Sequence, residues 1–215
     1  MTGGAGPEED RPMAEVLAIK GSPRAGGNTD ALVDEAVQGA FEMGHHVTTL
    51  ALREHQFSGC VHCGGCTRDG VCHVKDAMQE VFGMLDRSEH VILGAPMFFM
   101  DVPWKVKAMI DRCQLYWARR FVLKTDSGRQ HPGGNFLALL VGGTEYKTLF
   151  DAPRLVLGAW CVTMELELQM GLTLRKIDHK KAIQEHPEAL VRARELGRTV
   201  GDPLRRSERG RGGRV

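Results

Sequence analysis

Residues Ala14 to Thr29 read AEVLAIKGSPRAGGNT: a short apolar run, a glycine-rich turn and the opening of a helix. The apolar run Ala14–Ile19 predicts a buried strand. After the turn, Leu32, Val33, Ala36, Val37 and Ala40 recur at helical spacing, and Gly44 marks the end of a helix from about Thr29 to Met43. Between strand and helix stand Ser22, Arg24, Asn28 and Thr29 as hydrogen-bond donors, with Gly26 and Gly27 allowing close approach of the backbone. Such a turn, feeding directly into a helix N-terminus, favours an anion, because free N–H groups and the helix dipole converge there. Capping alone would need one such side chain, not four polar donors including an arginine. The spacing matches neither the Walker A loop nor the G-x-G-x-x-G fingerprint, which disfavours a P-loop NTPase or a standard dinucleotide dehydrogenase.

The same alternation continues along the chain. His46–Leu50 predicts a second strand, His90–Ala95 a third, Asn135–Val141 a fourth and Val162–Gln169 a fifth. Helices are expected over Ala77–Asp86, Pro103–Trp117, Lys147–Trp160 and Pro187–Val200. Strands alternating with helices imply an α/β fold: a doubly wound, five-stranded parallel sheet of flavodoxin-like order 2-1-3-4-5. Ligands of such sheets bind at the carboxyl ends of the strands, where the loops after strands one, three and four meet. The domain should run from residue 13 to 200. A Gly-, Pro- and Glu-rich extension (1–12) and a basic, Gly-rich tail (201–215) are expected to be disordered.

A long loop after strand two, residues 53–76, holds Cys60, Cys63, Cys66 and Cys72 in the spacing C-x2-C-x2-C-x5-C. Thiolates this dense need a partner: an iron–sulfur cluster, a zinc ion or each other. The tight C-x2-C-x2-C run favours a [4Fe–4S] cluster, whereas structural zinc more often uses two separated ligand pairs. Gly59, Gly64, Gly65 and Gly70 would let the loop wrap a cluster, and Arg53, Arg68 and Lys75 could offset its negative charge. His62 and His73 flank the thiols; Cys113 and Cys161 read as buried small hydrophobes, the latter at a helix–strand junction.

Composition narrows the partners. With 28 basic and 27 acidic residues the net charge is +1, so no global field favours nucleic acid or a membrane surface. No apolar run reaches the roughly 20 residues of a membrane helix, and a signal peptide is not evident at the start. Clustered cysteines without a secretory signal imply a reducing, cytoplasmic setting.

The stretch GSPRAGGNT after a first strand resembles the FMN-phosphate loop of the NADPH-dependent FMN reductase family. The cysteine run with Lys75-Asp76-Ala77-Met78 is similar to its iron–sulfur flavoprotein subgroup. Gly94-Ala95-Pro96-Met97-Phe98-Phe99 resembles the family's second flavin loop, Lys107–Arg112 its following helix, and Gly142-Gly143-Thr144 its third loop. Met100 stands where the second loop usually has a glycine, and Phe98 where a tyrosine is frequent. The resemblance implies FMN held by Ser22, Arg24, Gly27, Asn28, Thr29, Pro96, Met97, Phe98, Phe99, Gly142, Gly143 and Thr144, and a [4Fe–4S] cluster on Cys60, Cys63, Cys66 and Cys72. It also implies electrons from NAD(P)H or a ferredoxin-like donor, and a homodimer or homotetramer. Trp104 would flank the flavin pocket, Trp104, Leu115, Tyr116 and Trp117 would face a partner copy, and Asp111 would pair with Arg112. No catalytic residue is assigned, since hydride transfer to a flavin needs no protein acid or base. The rival readings are a cluster-free NAD(P)H:FMN or quinone reductase, a non-enzymatic electron carrier, and a zinc-stabilised binding module.

Overall fold

The computed structural model describes residues 13–202. Five parallel strands, β1 (Glu15–Lys20), β2 (His46–Ala51), β3 (His90–Pro96), β4 (Gly134–Val141) and β5 (Leu166–Leu174), lie in the order β2-β1-β3-β4-β5. This is the flavodoxin-like, doubly wound sheet read from the sequence. Alternate strand residues point to opposite faces, and each face carries its own core. A single helical turn, α2 (Cys66–Asp69), lies in the loop after β2, and Leu17, Ile19, Leu93, Phe136 and Leu140 pack under α3 (Met78–Arg87), α4 (Trp104–Arg112) and α6 (Asp151–Met164). Val16, Ala18, Ile92, Leu137 and Leu139 pack under α1 (Asn28–Glu42) and α7 (Pro187–Arg198). All eight residues of β4 are buried, as a central parallel strand requires. The expected extension 1–12 and the tail beyond Asp202 lie outside the described residues. Among those described, no helix is long and apolar enough to cross a membrane.

Three expectations are corrected. The helix expected over Lys147–Trp160 runs instead over Asp151–Met164, and the strand that follows starts at Leu166 rather than Val162. Cys161-Val162-Thr163-Met164 looks strand-like, yet Cys161 and Met164 continue the buried stripe of Leu157 and Trp160 at helical spacing. The helix therefore stops only where Glu165 turns left-handed (φ 54°), and Cys161 sits within it. The helix expected over Pro103–Trp117 breaks at Cys113 into α4 and a short α5 (Gln114–Trp117), followed by a wide turn to Leu123. The break buries Leu115 and Tyr116, which were expected on the surface; only Trp104 and Trp117 remain exposed. Tyr116 instead donates to Asp86 Oδ1 at 2.6 Å beneath α3.

Helices α1 and α7 meet backbone to backbone. A Cβ on Gly39 would lie 2.0 Å from the Arg194 carbonyl oxygen, and one on Gly197 would lie 2.0 Å from that of Ala36. Gly39→Leu is expected to cost about 3 kcal/mol by overpacking, seen as a lowered urea midpoint at unchanged m; an unchanged midpoint refutes the contact.

At the opposite edge from the strand tips, His90 is buried and its Nδ1 accepts from Asn135 N–H at 2.9 Å. Burial, helped by His45 and Arg129 against the pull of Glu89, holds His90 below the ordinary histidine range. The unfolded chain therefore takes up this proton first as pH falls below about 6.5. The stability it contributes is complete above that value and declines below it. The urea midpoint should drop between about pH 7.5 and about pH 5.5, and drop less in His90→Asn.

Candidate functional site

The loops after β1, β3, β4 and β5 enclose one cleft at the strand tips, lined by Ser22, Arg24, Gly27, Asn28, Thr29, Pro96, Met97, Phe98 and Gly143. Its cavity volume is about 120 Å³, and it is open to solvent. At its floor the turn before α1 is locked internally. Ser22 Oγ accepts from Arg24 N–H at 3.1 Å, and Asp30 Oδ2 accepts from Gly26 N–H at 2.9 Å. Gly27 occupies the N-cap position, and no side chain caps the helix. The first intrahelical bond starts at Ala31 N–H, donated to the Gly27 carbonyl. The N–H groups of Asn28 and Thr29 are thus left for a ligand. No side chain of the polar turn serves as the helix cap.

Asn28 behaves differently from expectation. Its side-chain amide donates to the His179 carbonyl at 2.9 Å and accepts from Ile183 N–H at 3.1 Å. It pins the loop after β5 over the cleft, and what it offers a ligand is its backbone N–H. That loop brings Ile177, Asp178 and Lys180 into the cleft lining. These residues carry no sequence signature; the Asn28 clasp and the Ile177 N–H bond to the Gly142 carbonyl at 3.1 Å hold them there.

The second loop is a tight reversal. Phe98 and Asp101 exchange both backbone hydrogen bonds, 2.8 and 3.1 Å, around Phe99 (φ 49°) and Met100 (φ 68°). Two bulky left-handed residues in succession cost on the order of 1–2 kcal/mol each, and Met100 sits where a glycine would avoid that cost. Phe99 is fully exposed and Phe98 half-exposed. The N–H groups of Met97, Phe98 and Gly142 are already bonded, to Val141, Asp101 and Leu174 carbonyls. Among the described residues this leaves those of Phe99, Gly143 and Thr144 without an internal partner. Trp104 does not line the cleft; its ring carries the Lys105 ammonium 5.7 Å from its centroid on the surface.

The four clustered cysteines all line a second cavity, with His62, His73, Arg112 and Leu115. Cys60 and Cys63 are exposed, Cys66 and Cys72 half-buried. Burial, and then the adjacent sulfurs of Cys60, Cys72 and Cys63, push the Cys66 thiol up. Among the described residues no three His, Cys, Asp or Glu side chains converge as a single bound ion would need. His73 bonds Asp69 at 2.7 Å and packs its ring on Gly65. Burial pushes Cys113 and Cys161 up to about 12, and neither lines the cavity of the four clustered cysteines.

The charges assigned to the loop are rearranged. Arg112 pairs not with Asp111, which takes Lys107 at 2.7 Å, but with Asp76 through two bonds of 2.8 and 3.1 Å. It also donates to the Ser58 and Val74 carbonyls, both at 3.1 Å, so one buried guanidinium joins both ends of the cysteine loop. Asp76 in turn accepts from Ser58 and Met78 N–H groups. Burial opposes ionisation of Asp76, but Arg112 and the two N–H donors hold it below the usual carboxylate range. Arg53, expected near the thiols, instead meets Asp30 at 3.1 Å and the Ser22 carbonyl at 3.5 Å. The loop's first residue is thereby tied to the floor of the first cleft.

Comparison with known proteins agrees with this geometry. A family described as NADPH-dependent FMN reductase matches residues 14–148. Among curated proteins, the iron–sulfur flavoprotein of Methanosarcina thermophila is 29% identical over 130 residues, 60% of this chain and 64% of that protein. An iron–sulfur flavoprotein of Methanocaldococcus jannaschii is 33% identical over 98 residues, 46% and 51% of the two. The matched stretch thus spans between half and two thirds of these relatives. Among solved structures, an NAD(P)H:quinone oxidoreductase from Methanothermobacter marburgensis superposes with a TM-score of 0.68 at 15% identity, covering 87% of this chain and 98% of that one. That likeness is one of fold.

Asp30, 2% exposed, orders both the first turn and Arg53. Asp30→Ala is expected to cost about 3 kcal/mol, because it strands a half-buried arginine. Urea unfolding measures it, and a loss under about 0.5 kcal/mol, the scale of an ordinary surface change, would show that the pair is dispensable.

Proposed function

This chain belongs to the NADPH-dependent FMN reductase family, and from that we propose a flavin-dependent electron-transfer oxidoreductase with FMN in the first cleft. We further assign a [4Fe–4S] cluster to Cys60, Cys63, Cys66 and Cys72. The observation that carries the reading is the uncapped start of α1, whose free N–H groups open onto a cleft walled by Pro96, Met97 and Phe98.

When bound, FMN supplies a hydride acceptor that can release electrons singly, and the cluster a one-electron relay. The chain's own residues place and tune these groups. The N–H groups of Asn28 and Thr29 would hold the phosphate, with Arg24 adding a charge-assisted bond. Ser22 Oγ fixes the turn that aims them. Pro96, Met97 and Phe98 form an apolar wall that keeps water from one face of a planar ring. The N–H groups of Phe99, Gly143 and Thr144 are the free donors for the ring's polar edge. The tight C-x2-C-x2-C spacing supports a [4Fe–4S] centre over a lone zinc ion, and all four cysteines line one cavity. The names of the two archaeal relatives support the same choice.

Electrons would come from NAD(P)H or a reduced ferredoxin-like carrier, in the cytoplasm. The exposed Phe98–Phe99 turn at the cleft supports a homodimer or homotetramer in which another copy covers it.

Anaerobically purified protein should be brown, with about four irons and four sulfides per chain; a yellow, iron-free protein would leave the cluster-free reductase reading instead. Arg24→Ala should weaken FMN binding about tenfold, roughly 1.4 kcal/mol, and leave riboflavin binding unchanged. Fluorescence titration reads both, and equal losses for the two ligands would remove the phosphate cradle.

A further inference from the structure

The buried arginine at the cysteine cavity has one donor more than its ion pair and its two carbonyl bonds use. Arg112 is wholly enclosed, its side chain at 0% exposure. Nη1 serves Asp76 and the Ser58 carbonyl, and Nη2 serves Asp76 and the Val74 carbonyl. Nε, equally buried, has no hydrogen-bond partner among the described residues. The Phe82 ring lies 5.9 Å from the guanidinium carbon and offers no acceptor oxygen. On the cavity side stand the cysteines, Cys72 among them.

An unmet buried N–H costs on the order of 1–3 kcal/mol, and native structures keep few of them. The cavity that Arg112 and Cys72 both line offers sulfur as an acceptor on that side. A cationic donor beside a ligand thiolate draws electron density from it and makes the attached metal centre easier to reduce.

We propose that Arg112 is a positioning and tuning residue of the cysteine-bound centre: its Nε–H donates to the Cys72 thiolate and raises the centre's reduction potential. The inference rests on the cluster reading above and adds a role for a residue outside the cysteine run. Arg112 has two jobs, a clasp made by its two Nη atoms and a donor made by Nε. Lysine at 112 would retain a positive charge but lose the fixed fork and the Nε–H.

The test uses the anaerobically purified full chain as wild type, Arg112→Lys, Asp76→Asn and Arg119→Lys. Arg119 supplies the structural control, because it anchors the same loop through the Gly70 carbonyl at 2.8 Å without lining the cavity. Iron and sulfide content, a dithionite titration followed by electron paramagnetic resonance, and the g values of the reduced centre are the readouts. Arg112→Lys should keep its iron, with a more negative midpoint potential and altered g values, while Arg119→Lys matches wild type. A wild-type potential and spectrum in Arg112→Lys overturns the proposal, as does an equal shift in Arg119→Lys. Should Arg112→Lys lose its iron, retention in Asp76→Asn and Arg119→Lys supports the donor role; loss in Asp76→Asn as well makes the clasp the whole role and overturns it. Iron-free wild-type protein removes the cluster reading itself, and the inference falls with it, a result distinct from every other outcome.

Discussion

The buried pair of Arg112 and Asp76 is the constraint on which the arrangement of the two cavities depends. A 24-residue excursion, residues 53–76, leaves the sheet after β2 and has little regular structure beyond one turn of helix at Cys66–Asp69. Ordering so long a segment costs backbone entropy on the order of 1 kcal/mol or more per residue, and its interior offers few large apolar side chains in return. Fixed points must hold it. Arg112 supplies the inner one by reaching Ser58 at one end and Val74 and Asp76 at the other. Arg53 supplies the outer one against Asp30 and Ser22. Replacing a buried ion pair by apolar residues is often neutral or stabilising. Net stability is therefore a poor reason for a guanidinium here, and simultaneous recognition of two carbonyls and a carboxylate is a good one.

The same logic explains why the first cleft is open where helices are usually closed. Asp30 lies in the first turn of α1, where a carboxylate is favoured by the helix dipole, yet it would repel a phosphate at the same spot. Arg53 neutralises it, reaching both carboxylate oxygens, while Gly26 N–H donates to Oδ2. The negative charge is thus used to order the turn without facing the cleft. Asn28 follows the same pattern: its side chain is engaged by the 179–183 loop, and the backbone alone faces inward.

Much of this was legible in the sequence because the signals are local. Strand, glycine-rich turn and amphipathic helix are fixed by neighbours a few residues apart, and the sheet order follows from the handedness of the crossovers. The cysteine spacing groups four thiols in one loop, and all four line one cavity. The errors came where long-range packing outvoted a local pattern. Cys161 to Met164 has strand-like composition but completes a helical stripe under the sheet. Tyr116 looks like a surface aromatic until α4 breaks at Cys113 and turns it toward Asp86. Arg112 follows Asp111 directly in the chain, but consecutive helix residues point about 100° apart, so the two could not face one another. Lys180 and Asp178 are held at the cleft by bonds between distant residues, one of them spanning 151 positions, which no periodicity encodes.

The strained second loop shows what the fold tolerates for the sake of that cleft. Phe99 and Met100 both take left-handed backbones, with Phe99 fully exposed to solvent. Burying Phe99 by a half-turn of the loop would break the paired bonds between Phe98 and Asp101 and free their N–H and carbonyl groups. Each unpaired backbone group costs about as much as the strain it relieves, so the local balance alone gives little preference for this turn. What tips it is β3: Met97 N–H is bonded to the Val141 carbonyl and Pro96 still belongs to the strand, so the chain must reverse within four residues to reach Pro103 and the start of α4. The exposed aromatic is therefore imposed by the sheet beneath it and the helix beyond it. A ring or a second copy settling on Phe99 would recover apolar burial that the isolated chain has no means of making for itself.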